Sequence, residues 1–263
     1  MSLRNELREP EDSNDAHKNY NWDFWYQHVQ DGAKAIHTAN EFVLVALSGL
    51  NFDTDMSAVV QGSTFEPGTA KFSFDDFSGL EKKLVIELHN YQTDVDSCDT
   101  LKDELYKAGG QAMNPDDSTT ANVFPVLITE FGFEQNGKAY KDPYSTCLSE
   151  ILPTDYAGWM NWVVVGSYYT RQGSNDYDET WGLKTHDWSA WRDQAYVDEQ
   201  LKPMASKTLE DSVDGVSRPP VSTVSTVLTV PTSFANCMFE RSTWRMGVMI
   251  ATILGLVFWT VCV

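Results

Sequence analysis

Short, uninterrupted runs of apolar residues, each followed by a segment with helical periodicity, constrain the fold of this 263-residue chain more than any other feature. The clearest runs are 42–49, 84–88 and 126–129. A strand that is apolar on both faces is typical of a parallel sheet covered by helices on both sides. Strands that alternate with helices in this way predict the α/β class.

Further elements complete the alternation. The aromatic and β-branched run 158–169 predicts one more strand, and residues 1–5 are interpreted as the end of another. Residues 10–21 are polar and predict a loop. Apolar residues at helical spacing predict helices over 22–40, 101–112, 144–152 and 188–201.

Polar residues recur where these strands end, and two of them are glutamates, Glu6 and Glu130. A carboxylate at a strand end costs free energy unless it is paired or used. Two carboxylates brought together are what glycoside hydrolysis requires. Active sites at the carboxyl ends of strands are typical of a (β/α)8 barrel. An open dinucleotide-binding sheet would have a glycine-rich phosphate loop after a strand, and no predicted strand is followed by one. The recurring residues are Glu6, Asn51, His89, Glu130 and Trp162.

The net charge of −19 argues against nucleic acid or an anionic membrane surface as a partner. A neutral ligand such as a polysaccharide suits this charge, although solubility alone also explains it. Nine tryptophans and eleven tyrosines predict either a large aromatic core or a groove in which sugar rings stack.

The four cysteines and five histidines show no CxxC or HExxH spacing, so neither a metal nor another cofactor is expected. Cys98 and Cys147 lie on either side of a predicted strand and are expected to pair if the protein is secreted. Two free thiols are the alternative.

The last part of the chain differs in composition. Residues 203–245 are rich in Ser, Thr, Val and Pro and predict a linker. Residues 246–263 carry no charge and predict a membrane segment, either a spanning helix or the signal for a GPI anchor. Ser233 and Asn236 are candidate attachment sites, although bulky neighbours fit that signal poorly. The predicted location is the cell surface.

Six stretches occur in a characteristic order along residues 1–202: SLRNELREP, LVALSGLNFDTDMS, LVIELHNYQ, VLITEFGF, GWMNWVVVGSYYTRQG and DETWGLKTHDWSAWR. In this order they resemble fungal and plant members of glycoside hydrolase family 5, the cellulase family of clan A. The resemblance implies the C-terminal part, about strands 4–8, of a (β/α)8 TIM barrel. Strands one to three, with the family's arginine and histidine, are expected to be missing from the chain.

The resemblance also implies roles for individual residues. Glu6 is expected to be the general acid/base and Glu130 the nucleophile of a retaining hydrolase that acts on a β-linked glycan. Asn5 is expected to hold the 2-hydroxyl of the sugar. An acid needs a raised pKa and a nucleophile a low one, and two close carboxylates push their pKa values apart.

Other residues are expected to surround this pair. His89 and Tyr91 would orient the nucleophile, and Trp162 would form the sugar platform. Trp181 and Tyr168 are further candidates for the groove, whereas Asn51, Asp53 and Asp55 either line the cleft or lie in a solvated loop. The alternative function is a non-catalytic carbohydrate-binding protein of the cell surface that keeps the aromatic cleft without turnover.

Overall fold

The computed structural model describes residues 1–10 and 18–211, together with the backbone of 252–253 and 256–257. The chain divides into two compact units, Met1–Thr208 and Leu209–Val263. The functional interest lies in the first unit.

The centre of the first unit is a sheet of four strands in the order β1-β2-β3-β4, and every neighbouring pair is parallel. The N-terminal segment continues the sheet beyond β1, because Ser2 forms a parallel bridge with Ala46. The predicted strand end at residues 1–5 therefore does lie beside the sheet. The strands are β1 Val45–Leu47, β2 Leu84–Asn90, β3 Val126–Phe131 and β4 Gly158–Asn161.

Helices follow the strands, as the alternation predicts. The longest helix begins after Asn21, whose side chain accepts a hydrogen bond from the backbone of Phe24 and caps the helix. The α-helices described within residues 18–211 are α1 Trp22–Ala39, α2 Ser57–Val60, α3 Cys98–Ala108, α4 Pro143–Asp155 and α5 Gln194–Tyr196, which runs through a π-helical turn, Val197–Leu201, into α6 Lys202–Asp211. Short 3₁₀ helices cover Phe74–Phe77, Gly110–Met113 and Ala139–Lys141.

Much of the aromatic content is core. On α1, Trp25 and Tyr26 are buried, and Tyr26 contacts Phe65, Phe72 and Phe77 with ring centroids 4.9 to 6.1 Å apart. Burying an aromatic side chain stabilises the fold by roughly 1.5–3 kcal/mol. Since every residue of β1 and β2 is also buried, the sheet is covered on both faces, as the apolar runs predict.

Cys98 and Cys147 form a disulfide that joins the first residue of α3 to α4. Their Cα atoms lie 5.1 Å apart, and the bond closes a loop with a sequence separation of 49. Closing a loop of this length stabilises a fold by about 4 kcal/mol in the chain-entropy account.

Two predicted elements are wrong in their extent. The strand predicted over 158–169 ends at Asn161, and a separate antiparallel hairpin follows, made of β5 Ser167–Arg171 and β6 Ser174–Asp178. The chain leaves the sheet after β4 because residues 163 to 165 form hydrogen bonds with 183 and 184 instead.

The helix predicted over 188–201 begins only at Gln194, where the side chain of Asp193 caps it. Trp188 lies before it in a turn with a φ of 63°. At the other end the helical structure continues to Asp211, so residues 203–211, placed in the linker by the sequence, are helical.

In the second unit, Thr252–Ile253 (β7) pairs antiparallel with Leu256–Val257 (β8). The rest of the predicted membrane segment, the candidate sites Ser233 and Asn236, and the linker beyond residue 211 lie outside the described residues. No helix within the described part of the chain is long and apolar enough to cross a membrane.

Candidate active site

The site lies at the carboxyl ends of β2 and β3. His89, near the end of β2, is the register partner of Glu130 in β3, and the pairing shifts between Leu88 and His89. The sequence predicts both residues just after their strands, whereas in the structure both lie within them. Because the strands are parallel and adjacent, the two side chains emerge at the same edge of the sheet.

Glu6 approaches this edge from the N-terminal segment. Its backbone adopts a left-handed conformation with a φ of 49°, and its Oε1 lies 3.2 Å from Nδ1 of His89. A carboxylate oxygen of Glu6, one of Glu130 and a ring nitrogen of His89 all lie within 4.8 Å of one another. Two residues separated by more than a hundred positions thus place their carboxyl groups side by side.

Glu130 is held by two polar neighbours. Tyr91, immediately after β2, donates its hydroxyl to Oε2 of Glu130 at 2.8 Å, and Nδ1 of His89 lies 3.6 Å from the same oxygen. Burial raises the pKa of Glu130 above its ordinary value, against the opposing effects of His89 and Tyr91. This direction differs from the low pKa expected for a nucleophile.

Three of these groups also have the spacing of a cation site, since Glu6, His89 and Glu130 each offer one ligand atom. The same atoms form the hydrogen-bonded set just described, in which His89 is buried between two carboxylates. The cation spacing and the hydrogen-bonded set therefore involve the same three side chains.

The two glutamates open into a cavity of about 550 Å³. Asn5, Tyr91, Trp162 and Trp181 line it together with the glutamates, so five of the predicted site residues and the candidate Trp181 meet around one space. The ring of Tyr91 lies 6.4 Å from that of Trp162 and 6.0 Å from that of Trp181. Partly exposed aromatic rings beside two carboxylates form a surface on which the apolar face of a sugar can stack.

The β5–β6 hairpin forms one wall of this cavity and brings a residue that the sequence analysis missed. Arg171 lines the cavity, and its guanidinium lies 4.9 Å from the ring centroids of both Trp162 and Tyr168. Nη1 of Arg171 also lies 2.5 Å from a carboxylate oxygen of the buried Glu179. The groove candidate Tyr168 therefore contacts the arginine but does not itself line the cavity.

The predicted loop residues have different positions. Asp53 is completely buried beside Glu6 and His89. Asp55 accepts hydrogen bonds from the backbone and hydroxyl of Ser57 at the start of α2, and the exposed Asn51 bonds to Thr54. Asn51 and Asp55 therefore organise the loop rather than line the cavity.

Comparison with known proteins agrees with this geometry. Residues 3–167 match the family described as Cellulase (glycosyl hydrolase family 5). The chain belongs to this family. A glycosyl hydrolase 5 family protein from Chamaecyparis obtusa is 33% identical over 206 residues, which cover 75% of this chain and 34% of that protein. The chain thus spans about a third of the length of that curated relative.

One of the solved structures that match shares part of this fold. A beta-glucanase from Saccharophagus degradans superimposes with a TM-score of 0.50 and 15% identity, over 78% of this chain and 53% of the other. A thermostable family 5 cellulase from an Icelandic hot spring isolate matches with a TM-score of 0.43 and 14% identity, over 84% and 59% of the two chains. The parallel α/β sheet of this family 5 chain corresponds to part of those barrel structures.

Proposed function

We propose that this family 5 chain is the C-terminal part, about strands 4–8, of a retaining glycoside hydrolase that cleaves a β-linked glycan, with Glu6 as general acid/base and Glu130 as nucleophile. The observation that carries the proposal is the approach of the two carboxyl groups to within 4.8 Å. Retaining enzymes place their carboxyl groups roughly 5–5.5 Å apart, whereas inverting enzymes leave about 6.5–9.5 Å for a water molecule.

In the first step, a carboxylate oxygen of Glu130 attacks the anomeric carbon, and the bond from that carbon to the leaving oxygen breaks. Glu6 donates its proton to that oxygen, so the leaving sugar departs as an alcohol. In the second step, Glu6 removes a proton from water, whose oxygen attacks the anomeric carbon and releases Glu130. Tyr91 holds Glu130 by its hydrogen bond and keeps the attacking oxygen aimed at the cavity.

The lining of the cavity supports a neutral glycan as substrate. Asn5 lies next to Glu6 in sequence and reaches the same space, where its amide can hold a sugar hydroxyl. The rings of Trp162 and Trp181 offer faces for the apolar side of the sugar. Glu6, Glu130 and the net charge of −19 would repel an anionic polymer.

The test is hydrolysis by the full-length protein that carries this chain, measured as reducing ends released from β-1,4-glucan, β-1,3-glucan and mannan. Glu130→Gln should reduce the rate of release at least 1,000-fold, as expected when a nucleophile is removed. Glu134→Gln, at an exposed position four residues away, is the matched control and should leave the rate unchanged. Hydrolysis that survives Glu130→Gln at the wild-type rate would refute the assignment.

One observation favours a second candidate, a carbohydrate-binding protein without turnover. Burial raises the pKa of Glu130, which favours the protonated carboxyl group over the ionised form that a nucleophile needs. Calorimetric binding of a cello-oligosaccharide without any release of reducing ends between pH 5 and 9 would support this candidate. Turnover at any pH in that range would exclude it.

We also propose that the protein resides at the cell surface and is attached to a membrane by residues 246–263. The proposal is supported by eighteen consecutive uncharged residues, about the length of apolar sequence that a membrane-spanning segment needs. Release from cells by phosphatidylinositol-specific phospholipase C would indicate a GPI anchor, and retention would indicate a spanning segment. A product with an intact C-terminus that stays entirely in the soluble fraction would contradict both.

A further inference from the structure

Three consecutive residues with left-handed backbone conformation form a turn that ends at Asp53, next to Glu6. Asn51, Phe52 and Asp53 have φ values of 52°, 61° and 58°, and none is glycine. A left-handed conformation costs an L-residue roughly 1–2 kcal/mol. Strained backbone of this kind persists where the surrounding structure fixes it, and it concentrates at functional sites.

This turn is fixed to the segment that carries Glu6. The backbone N–H of Phe52 donates to the carbonyl of Leu7 at 2.8 Å. The hydroxyl of Tyr20 accepts from the N–H of Asn51 at 2.6 Å and donates to the same carbonyl at 3.2 Å. The left-handed turn and the backbone beside Glu6 are therefore held as one unit.

Asp53 links this unit to His89. Its Oδ2 accepts a hydrogen bond from the N–H of Glu6 at 2.8 Å and lies 3.7 Å from Nε2 of His89. Its carbonyl accepts from the N–H of His89 at 2.9 Å. Asp53 thus bonds to the backbone N–H groups of both Glu6 and His89, and its carboxyl group lies near Nε2 of the histidine ring.

Burial of the Asp53 carboxyl group costs free energy. The residue is 0% exposed, and its Oδ1 has no hydrogen-bond partner among the residues that the structure describes. Leaving a buried polar atom unpaired costs about 1–3 kcal/mol. A side chain that needed only to fill this space would avoid the cost, so the carboxyl group calls for another explanation.

We propose that Asp53 is a positioning residue for the catalytic pair, which fixes the backbone of Glu6 and holds His89 in the tautomer whose proton is on Nε2. The proposal rests on the function proposed above. With the proton on Nε2, the positive side of the imidazole dipole faces the carboxyl group of Asp53, 3.7 Å away, and the lone pair of Nδ1 faces Glu6, where it accepts a hydrogen bond from the protonated carboxyl group. That protonated form is the one a general acid needs. Asp53 therefore acts on Glu6 in two ways: it binds the backbone N–H of Glu6, and through His89 it favours the protonated carboxyl group of Glu6.

The surroundings of Asp53 make its own charge responsive to pH. It is faced by Glu6 from the N-terminal segment and by Glu87 and His89 from β2. Burial raises its pKa to about 7, against the opposing effects of the Glu6 N–H and His89. Asp53 therefore gains its charge near neutral pH, and the charge facing Nε2 strengthens as the pH rises.

The decisive variant is Asp53→Asn, whose amide oxygen can still accept from the Glu6 N–H but carries no charge. We expect kcat for glycan hydrolysis to fall about 10- to 100-fold with KM within twofold, since misplacement of reacting groups acts mainly on the chemical step. An ionisation near pH 7 should also disappear from the pH profile of kcat. Asp55→Asn, in the same loop but away from the cavity, is the control and should keep both the rate and the profile.

A second measurement does not depend on activity. The ¹⁵N chemical shifts of His89 in the wild-type chain at pH 8 should show the Nε2–H tautomer, and Asp53→Asn should reduce its population. An Nδ1–H tautomer in the wild-type chain, or a variant with unchanged kcat and pH profile, would overturn the proposal. If the full-length protein hydrolyses no glycan, the proposed function fails, while the histidine shifts still decide the position of the proton.

Discussion

The hydroxyl of Tyr91 lies 2.8 Å from Oε2 of Glu130 and donates its hydrogen to it. This bond favours the ionised carboxylate and therefore opposes the effect of burial on the pKa of Glu130. The pair couples the residue after β2 to the candidate nucleophile in β3, and it increases the fraction of Glu130 that is ionised at a given pH.

Tyr91→Phe removes this hydrogen bond with little change in volume. Because the pKa of Glu130 should then rise further, the acid limb of the pH–rate profile should move to higher pH, and kcat at pH 6 should fall about 10- to 100-fold. The pH profile of kcat measures both effects. Tyr169→Phe, on a tyrosine that is 93% exposed, is the control and should leave the profile in place.

The raised pKa of Glu130 also predicts how the activity of the wild-type protein depends on pH. A nucleophile must be ionised, so activity should fall as the pH drops through the pKa of Glu130. Since burial raises that pKa, the fall should occur at higher pH than for an ordinary glutamate. An acid limb at or below the ordinary value, near pH 4, would contradict the buried environment of Glu130.

Asp53 should make the stability of the fold depend on pH. Burial raises its pKa from 3.8 for a free side chain to about 7 in the folded state, so the folded chain binds more protons between these two pH values. Stability from this group is therefore fully present below about pH 4 and is lost as the pH rises through 7, by a few kcal/mol at most. Thermal unfolding at pH 5 and pH 8 should show a smaller difference for Asp53→Asn than for the wild-type chain, and an equal difference would refute the assignment.

The wall of the cavity should depend on Arg171. Replacing it by alanine leaves the carboxylate of Glu179 buried without its cation, which should lower the free energy of unfolding by about 1–3 kcal/mol. Arg171→Lys keeps the charge but loses the flat group beside Trp162 and Tyr168, so it should restore only part of the stability. Chemical denaturation of the three proteins tests this order, and full stability in Arg171→Ala would contradict it.

The disulfide gives a prediction that is independent of function. Reduction, or the double variant Cys98→Ser/Cys147→Ser, should lower the free energy of unfolding by about 4 kcal/mol. Unfolding with and without dithiothreitol measures the difference, and the double variant, which has no bond to reduce, is the control. Alkylation of both residues in the denatured, non-reduced protein would show that the bond is absent.

The sequence alone predicts the sheet because strands buried on both faces need continuous apolar runs. For this reason β1 lies within its predicted run, and β2 and β3 begin where predicted, although each extends two residues further. The strand-end carboxylates were also recognisable, since polar residues after apolar runs meet at one edge of a parallel sheet. Their joint arrangement around one cavity follows from the topology.

The β5–β6 hairpin could not be predicted as readily. Its two-residue turn is Gln172–Gly173, with φ values of 51° and 78°, and such turns favour Asn-Gly or Asp-Gly. With no strong turn signal, the aromatic run before it resembled one continuous strand, and Arg171 was overlooked. Asp53 was ambiguous for another reason, because a polar loop gives no indication of which carboxyl group the fold will bury.

The central claim is that Glu130 forms the bond to the sugar and Glu6 supplies the proton. An activated 2-deoxy-2-fluoro-β-glycoside reacts with a nucleophile and needs little help from an acid, so it separates the two roles. Peptide mass spectrometry of the labelled chain should find the sugar on Glu130, both in the wild-type chain and in Glu6→Gln. A label on Glu6, or turnover of the glycan with inversion and no label on Glu130, would contradict the account.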